Sequence, residues 1–170
     1  MNGTISPNDA IHTLSVYVAN KPGVLARIAQ VFARRGYNID SLVVSPSMDG
    51  RYSRMTIAAK GSRDGLDQII KQVSRLIDVL HCTDHEHDDA VVEELALIKV
   101  GVTVAERTEA LQVCQHFGGK TVDMTEKWVI VLVTGVSAKI DACVGMMQKF
   151  GIIELVRTGK VLMARGEQET

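Results

Sequence analysis

Residues 20–40, NKPGVLARIAQVFARRGYNID, set a Pro-Gly pair between an alternating run and an apolar helical stripe. Before it, residues 12–19 (HTLSVYVA) place Leu14, Val16 and Val18 on one side and Thr13, Ser15 and Tyr17 on the other, the period of two that marks a strand. After it, Leu25, Ile28, Ala29 and Phe32 recur at i, i+3, i+4 and i+7 on one helix face, and Gly36 supplies a left-handed stop. Strand, tight turn and helix are predicted in that order.

The same grammar continues. Ile39 to Val44 and Met55 to Ala59 read as strands joined by SPSMDGRYS, whose Pro, Asp and Gly are turn chemistry. Leu66, Ile69, Ile70, Val73, Leu76 and Ile77 make a second helical stripe, and Val79 to Thr83 a closing strand, which completes βαββαβ. After the acidic stretch EHDDAVVEE the pattern restarts with ELALIKVGV. A helical run of Ala110, Val113, Cys114 and Phe117 follows, ended by Gly118-Gly119. Then come TVDMT, WVIVLVTG and a last helix face of Ile140, Cys143, Val144 and Met147. Met55, Ile57, Ala59, Leu66, Ile69, Ile70 and Val73 map without a gap onto Val129, Val131, Val133, Ile140, Cys143, Val144 and Met147. A larger offset carries Ile28 and Phe32 to Val113 and Phe117, so the first half has the longer hairpin loop.

The expectation is an α+β chain of two tandem ferredoxin-like βαββαβ units, residues 12–86 and 93–166. Each is a four-stranded antiparallel sheet with two helices on one face. Val129, Val131 and Val133 alternate with Trp128, Ile130 and Leu132, so the second sheet is apolar on both sides. Burial of both faces, and hence a homodimer at least, is expected.

Composition narrows the function. Nineteen basic and twenty acidic side chains in 170 residues leave a net charge of −1, with no basic block to recruit nucleic acid or an anionic membrane. Seven Phe, Tyr and Trp residues are too few for the aromatic sheet of an RNA-binding domain of this topology. Cys82, Cys114 and Cys143 are odd in number and far apart, which reads as free thiols in the cytoplasm. The first ten residues lack a signal-peptide pattern, and no apolar run approaches the roughly 20 residues of a membrane span. No nucleophile and base pair, phosphate loop or dinucleotide glycine pattern occurs, so an independent enzyme is not expected. In HCTDHEHDD, Cys82, His85 and His87 lack a second ligand pair at zinc-site spacing and read as a solvated linker.

The turn carries the candidate site. Pro22 suits the first positions of a helix, and Gly23 removes the Cβ that would hold a ligand off the backbone. The N–H groups of Gly23, Val24 and Leu25, with the helix dipole, would form an anion site for a carboxylate. Asn20 would complement an amino-acid zwitterion. The same tetrapeptide also serves as plain strand-to-helix punctuation, and spacing leaves both readings open.

The first unit resembles an ACT domain, a small amino-acid-binding regulatory module. NKPGVLARIAQVFARRGYNIDSL, followed by SRMTI, RLIDVL, VEELALIKV and ELVRTGKVLMARG, resembles the regulatory small subunit of acetohydroxyacid synthase, also called acetolactate synthase, from about Leu14 to Gly166. The resemblance implies a non-catalytic subunit that activates a large catalytic subunit and confers feedback inhibition by valine, in some members by leucine or isoleucine. Thiamine diphosphate, Mg2+ and FAD would stay with that partner, and no cofactor with this chain. Asn20, Pro22, Gly23 and the adjoining helix start would receive the effector's polar end. Val24 and Leu25 would touch its side chain, and Asn38 and Ile39 of a neighbouring protomer would close the site. The alternative is a freestanding ACT-type amino-acid sensor controlling another enzyme. Residues Met1 to Ile11 are assigned no role.

Overall fold

The computed structural model describes residues 11–85, 90–167 and 170. The expected end of the first unit at residue 86, together with His87 and residues 1–10, lies outside them. The chain divides into two compact units between Val91 and Val92, with the stretch from Lys160 onward counted with the first.

In the first unit β1 (Ile11–Ala19), α1 (Val24–Arg34), β2 (Ile39–Pro46), β3 (Tyr52–Lys60), α2 (Arg63–Val73) and β4 (Val79–Asp84) follow the predicted order. The sheet runs β2-β3-β1-β4, antiparallel throughout. Register sets Leu14 opposite Ile57 and Val16 opposite Met55. These side chains meet Ile28 and Phe32 of α1 and Leu66, Ile69 and Val73 of α2 in one core. Strand residues two apart share a face, so the alternation seen in the sequence becomes one buried layer.

The second unit repeats the plan with β5 (Ala90–Gly101), α3 (Val104–His116), β6 (Lys120–Met124), β7 (Trp128–Gly135), α4 (Ser137–Met147), a single 3-10 turn and β8 (Ile152–Arg157). Its sheet runs β6-β7-β5-β8, the equivalent order, and a further strand, β9 (Val161–Ala164), pairs with β5 off that path. Val129, Val131 and Val133 are buried with Ile140, Cys143 and Met147, at the positions that Met55, Ile57, Ala59, Leu66, Ile69 and Val73 occupy in the first unit. The two halves are thus structural repeats, as the pattern predicts. On the other face of the second sheet Trp128, Ile130 and Leu132 are half-buried in the single chain.

Two helix faces differ from the sequence expectation. The buried stripe of α1 is Val24, Ile28 and Phe32, and Leu25 is exposed. Because the helix starts at Val24, that residue sits one turn before Ile28 and faces inward with it. The helix α2 ends at Val73, so Leu76 and Ile77 leave its stripe. Successive turns, Arg75 N to Gln72 O at 3.2 Å and Leu76 N to Val73 O at 3.0 Å, tighten the chain and swing Ile77 into solvent.

Candidate functional site

The site is built where β1 delivers the chain to α1. Lys21 N–H donates back to the Ala19 carbonyl at 2.9 Å, and Gly23 then adopts φ +83°, a left-handed conformation that glycine takes without strain. A Cβ on Gly23 would meet nothing within 4 Å, so conformation and not crowding calls for glycine, and open space lies beside the backbone.

The helix that starts here is left uncapped. Helix α2 is capped by Ser62, whose hydroxyl accepts from Gly65 N–H, and α3 by a reciprocal box between Thr103 and Glu106. At α1 Gly23 has no side chain to offer, and no acidic residue stands in the first turn. Among the described residues nothing accepts from the N–H groups of Gly23, Leu25 and Ala26. Orphan donors at the positive end of a helix are suited to a carboxylate.

One member of the predicted donor set is exchanged, Val24 for Ala26. Val24 N–H is directed at the Lys21 carbonyl at 3.4 Å, and its side chain belongs to the core. Val24 therefore offers no free donor and its side chain is buried, whereas the Leu25 side chain is 40 % exposed. Asn20 donates through its amide nitrogen to the Gly50 carbonyl at 2.9 Å and through its backbone to the Arg51 carbonyl at 2.9 Å. Its carboxamide oxygen remains as an acceptor.

The carboxylate beside the turn is paired internally. Asp78, nearly buried, forms an ion pair with Arg27 and lies 3.9 Å from Lys21, and its carbonyl accepts from Ala19 N–H at 2.8 Å. Sequence reasoning missed this clamp because Arg27 and Asp78 are far apart in the chain and neither belongs to a motif.

Asn38 and Ile39 stand at the other end of the sheet. Ala19 pairs with Tyr52 and Ile39 with Ala59, so the two groups are seven residues apart along β3, roughly 23 Å at the rise of a strand. One chain does not bring them together. Beside Asn38 lies a polar recess of about 360 Å³ lined by Gly36, Tyr37, Lys60, Gly61 and Ser62. Tyr37 lies across the start of α2, where a Cβ on Gly61 or Gly65 would fall 1.9 Å from its ring or 1.6 Å from its hydroxyl. The Gly-x-x-x-Gly spacing at 61 and 65 was the available signal for that close approach.

No group of three or more His, Cys, Asp or Glu side chains among the described residues is arranged to hold a metal ion. No described helix is long and apolar enough to cross a membrane. The three cysteines are free; burial raises the Cys82 thiol to about 12 and pushes Cys114 and Cys143 upward as well.

A ferredoxin-like unit with an open helix start at a glycine turn is the architecture of an ACT domain. The family model for the acetohydroxyacid synthase small subunit-like ACT domain matches residues 14–81, and that for the small subunit of acetolactate synthase matches residues 93–166. A probable acetolactate synthase small subunit of Methanothermobacter thermautotrophicus is 43 % identical over 92 % of this chain and 94 % of its own. The acetolactate synthase small subunit of Mycolicibacterium smegmatis is 39 % identical over 91 % of each. The crystal structure of the Thermotoga maritima small subunit superposes with a TM-score of 0.84 at 35 % identity, covering 94 % of this chain and 99 % of that one. The chain belongs to the acetolactate synthase small-subunit family.

Proposed function

We propose that this chain is the non-catalytic regulatory subunit of an acetolactate synthase. It activates a thiamine-diphosphate-dependent large subunit that condenses two pyruvates, and it confers feedback inhibition by valine. The single observation that carries the effector site is the uncapped start of α1, with free N–H groups at Gly23, Leu25 and Ala26 beside Asn20. Family membership supports the regulatory role, and the small-subunit relatives support a large catalytic partner. Thiamine diphosphate, Mg2+ and FAD belong to that partner.

In this reading the effector's carboxylate takes the helix start, its ammonium the Asn20 carboxamide oxygen, and its branched side chain rests on Leu25. Homodimerisation completes the site. The strand β2 is a sheet edge, and antiparallel pairing of two β2 edges about a twofold axis reverses their ends. Asn38 and Ile39 of one protomer then lie beside the hairpin end of the other, where the partner's Asn20 and the partner's Gly23 lie. A ligand shared by two protomers favours one quaternary arrangement by its difference in affinity, tenfold corresponding to about 1.4 kcal/mol.

The test is acetolactate formation by a cognate large subunit, with and without this protein, across a valine titration. Stimulation that valine reverses is expected. Absence of stimulation while calorimetry still shows valine binding overturns the reading in favour of a freestanding amino-acid sensor.

A further inference from the structure

Among the described residues the two most exposed large apolar side chains are Met48 and Ile77, both essentially fully exposed. They are distant in the sequence, yet both project from turns that hydrogen-bond to successive residues of the effector turn. The hairpin tip carrying Met48 is tied to Asn20 through the Gly50 and Arg51 carbonyls. The turn carrying Ile77 is tied to Ala19 through the Asp78 carbonyl.

Neither is a loose loop end. Around Met48, Asp49 accepts from Ser47 Oγ at 2.7 Å, from Arg51 N–H at 3.0 Å and from Arg51 Nε at 2.6 Å, and Gly50 N–H donates to Ser47 at 2.9 Å. Beside Ile77, Asp78 pairs with Arg27, and Val79 N–H closes onto Leu76 at 3.0 Å. Ordering these turns gains no burial for the two apolar side chains they display. A rigid support that already holds an apolar side chain in water lets a partner bury it without a further cost of ordering the turn.

The rim has a sign. Residues 19–27, 46–52 and 74–79 contain four cations, Lys21, Arg27, Arg51 and Arg75, and two carboxylates, Asp49 and Asp78, each already engaged by a cation. The surface that complements it has apolar sockets and an acidic surround.

We propose that Met48 and Ile77 dock this end of the first unit onto an apolar, acid-rimmed surface of the catalytic large subunit, an inference that rests on the regulatory reading above. Because the turns that carry the anchors are hydrogen-bonded to Ala19 and Asn20 through the Gly50, Arg51 and Asp78 carbonyls, an effector that tightens the β1–α1 turn alters how they are presented. Effector and partner are thereby coupled through one rigid element rather than across the whole chain.

The experiment uses the full chain with a cognate large subunit and reads the concentration needed for half-maximal stimulation. M48D and I77D are each expected to raise it by about 30-fold or more, as loss of an interface anchor does, and raised salt to weaken the unaltered pair. V104D, at an exposed apolar position in the second unit, is expected to change it by less than about threefold. Valine affinity by calorimetry and molecular mass by light scattering should stay unchanged in all three. Unaltered half-saturation in M48D and I77D overturns the docking surface and leaves the regulatory reading standing. A fall in molecular mass in those variants assigns the surface to a second copy of this chain and overturns it as well. If the unaltered protein fails to stimulate, the regulatory reading itself falls and takes this surface with it.

Discussion

The side-chain amide of Asn20 donates to the backbone carbonyl of Gly50 at 2.9 Å, across thirty residues of sequence. With the backbone bond from Asn20 to Arg51, also 2.9 Å, it locks the turn before α1 to the tip of the β2–β3 hairpin. The nitrogen of Asn20 thus fixes the hairpin, and its oxygen is left as an acceptor for the ammonium group of the proposed effector.

Asn20→Ala should loosen the hairpin and weaken valine together. The lost hydrogen bond is worth about 1 kcal/mol. Hydrogen exchange should quicken at the Ser47 and Gly50 amides, and calorimetry should show weaker valine binding; unchanged exchange would separate the two roles.

Gly23→Asp should abolish measurable valine binding, because it puts a carboxylate beside the donors meant for the ligand's own. There is room for the side chain, so the structural cost comes from φ +83° and stays near 1 to 2 kcal/mol for a residue that tolerates the left-handed region. Thermal melting gives the second number and calorimetry the first. Full valine affinity in this variant would move the effector site elsewhere.

Gly61→Ala should destabilise the first unit by about 2 kcal/mol or more, since the added methyl falls 1.9 Å from a Tyr37 ring carbon. In a Tyr37→Ala background the same substitution should cost less than about 0.5 kcal/mol beyond the Tyr37 change. Equal penalties in both backgrounds, measured by urea unfolding, would show that the ring is not the obstacle.

In the second unit Glu94 is buried and is held by Arg157 at 2.6 Å and by the Ser137 hydroxyl, and Arg157 reaches on to Asp141 at 2.6 Å. Arg157→Met leaves the Glu94 carboxylate buried without its cation and should cost about 3 kcal/mol. Arg157→Met combined with Glu94→Leu should recover most of that loss. A double variant as unstable as the single would point to packing rather than charge.

At the hairpin tip the Asp49 carboxyl is held down to about 2 from its ordinary 3.8, first by the Ser47 hydroxyl and then by Arg51. A folded value below the unfolded one means that its stabilising contribution is complete above about pH 4 and is lost as pH falls through about 2. The carboxyl carbon shift of Asp49 should therefore titrate near pH 2, and Ser47→Ala should move the midpoint upward. A midpoint near 3.8 in the unaltered protein would mean that the tip is not ordered as described.

The architecture was legible in local periodicity. Period-two runs such as Leu14, Val16, Val18 and helix-period runs such as Leu66, Ile69, Val73 are local signals, and each becomes a buried face because apolar area must leave water wherever the chain turns. The repeat was legible for the same reason, with Val129, Val131, Val133 and Ile140 taking the places of Met55, Ile57, Ala59 and Leu66. The glycine turn of the candidate site was legible too, because Pro22 and Gly23 restrict the backbone locally.

The remaining features come from packing across the whole unit. That Val24 and not Leu25 enters the core depends on where α1 starts relative to the sheet, which no periodicity reports to within one residue. That Ile77 leaves the α2 stripe depends on the tight turns that follow Val73. The Arg27–Asp78 pair, the Asn20–Gly50 bond and the Tyr37 ring over Gly61 join residues that only the packed sheet brings together. Such contacts arise from register and packing summed over the whole unit, whereas a window of sequence carries only the propensities of its own residues.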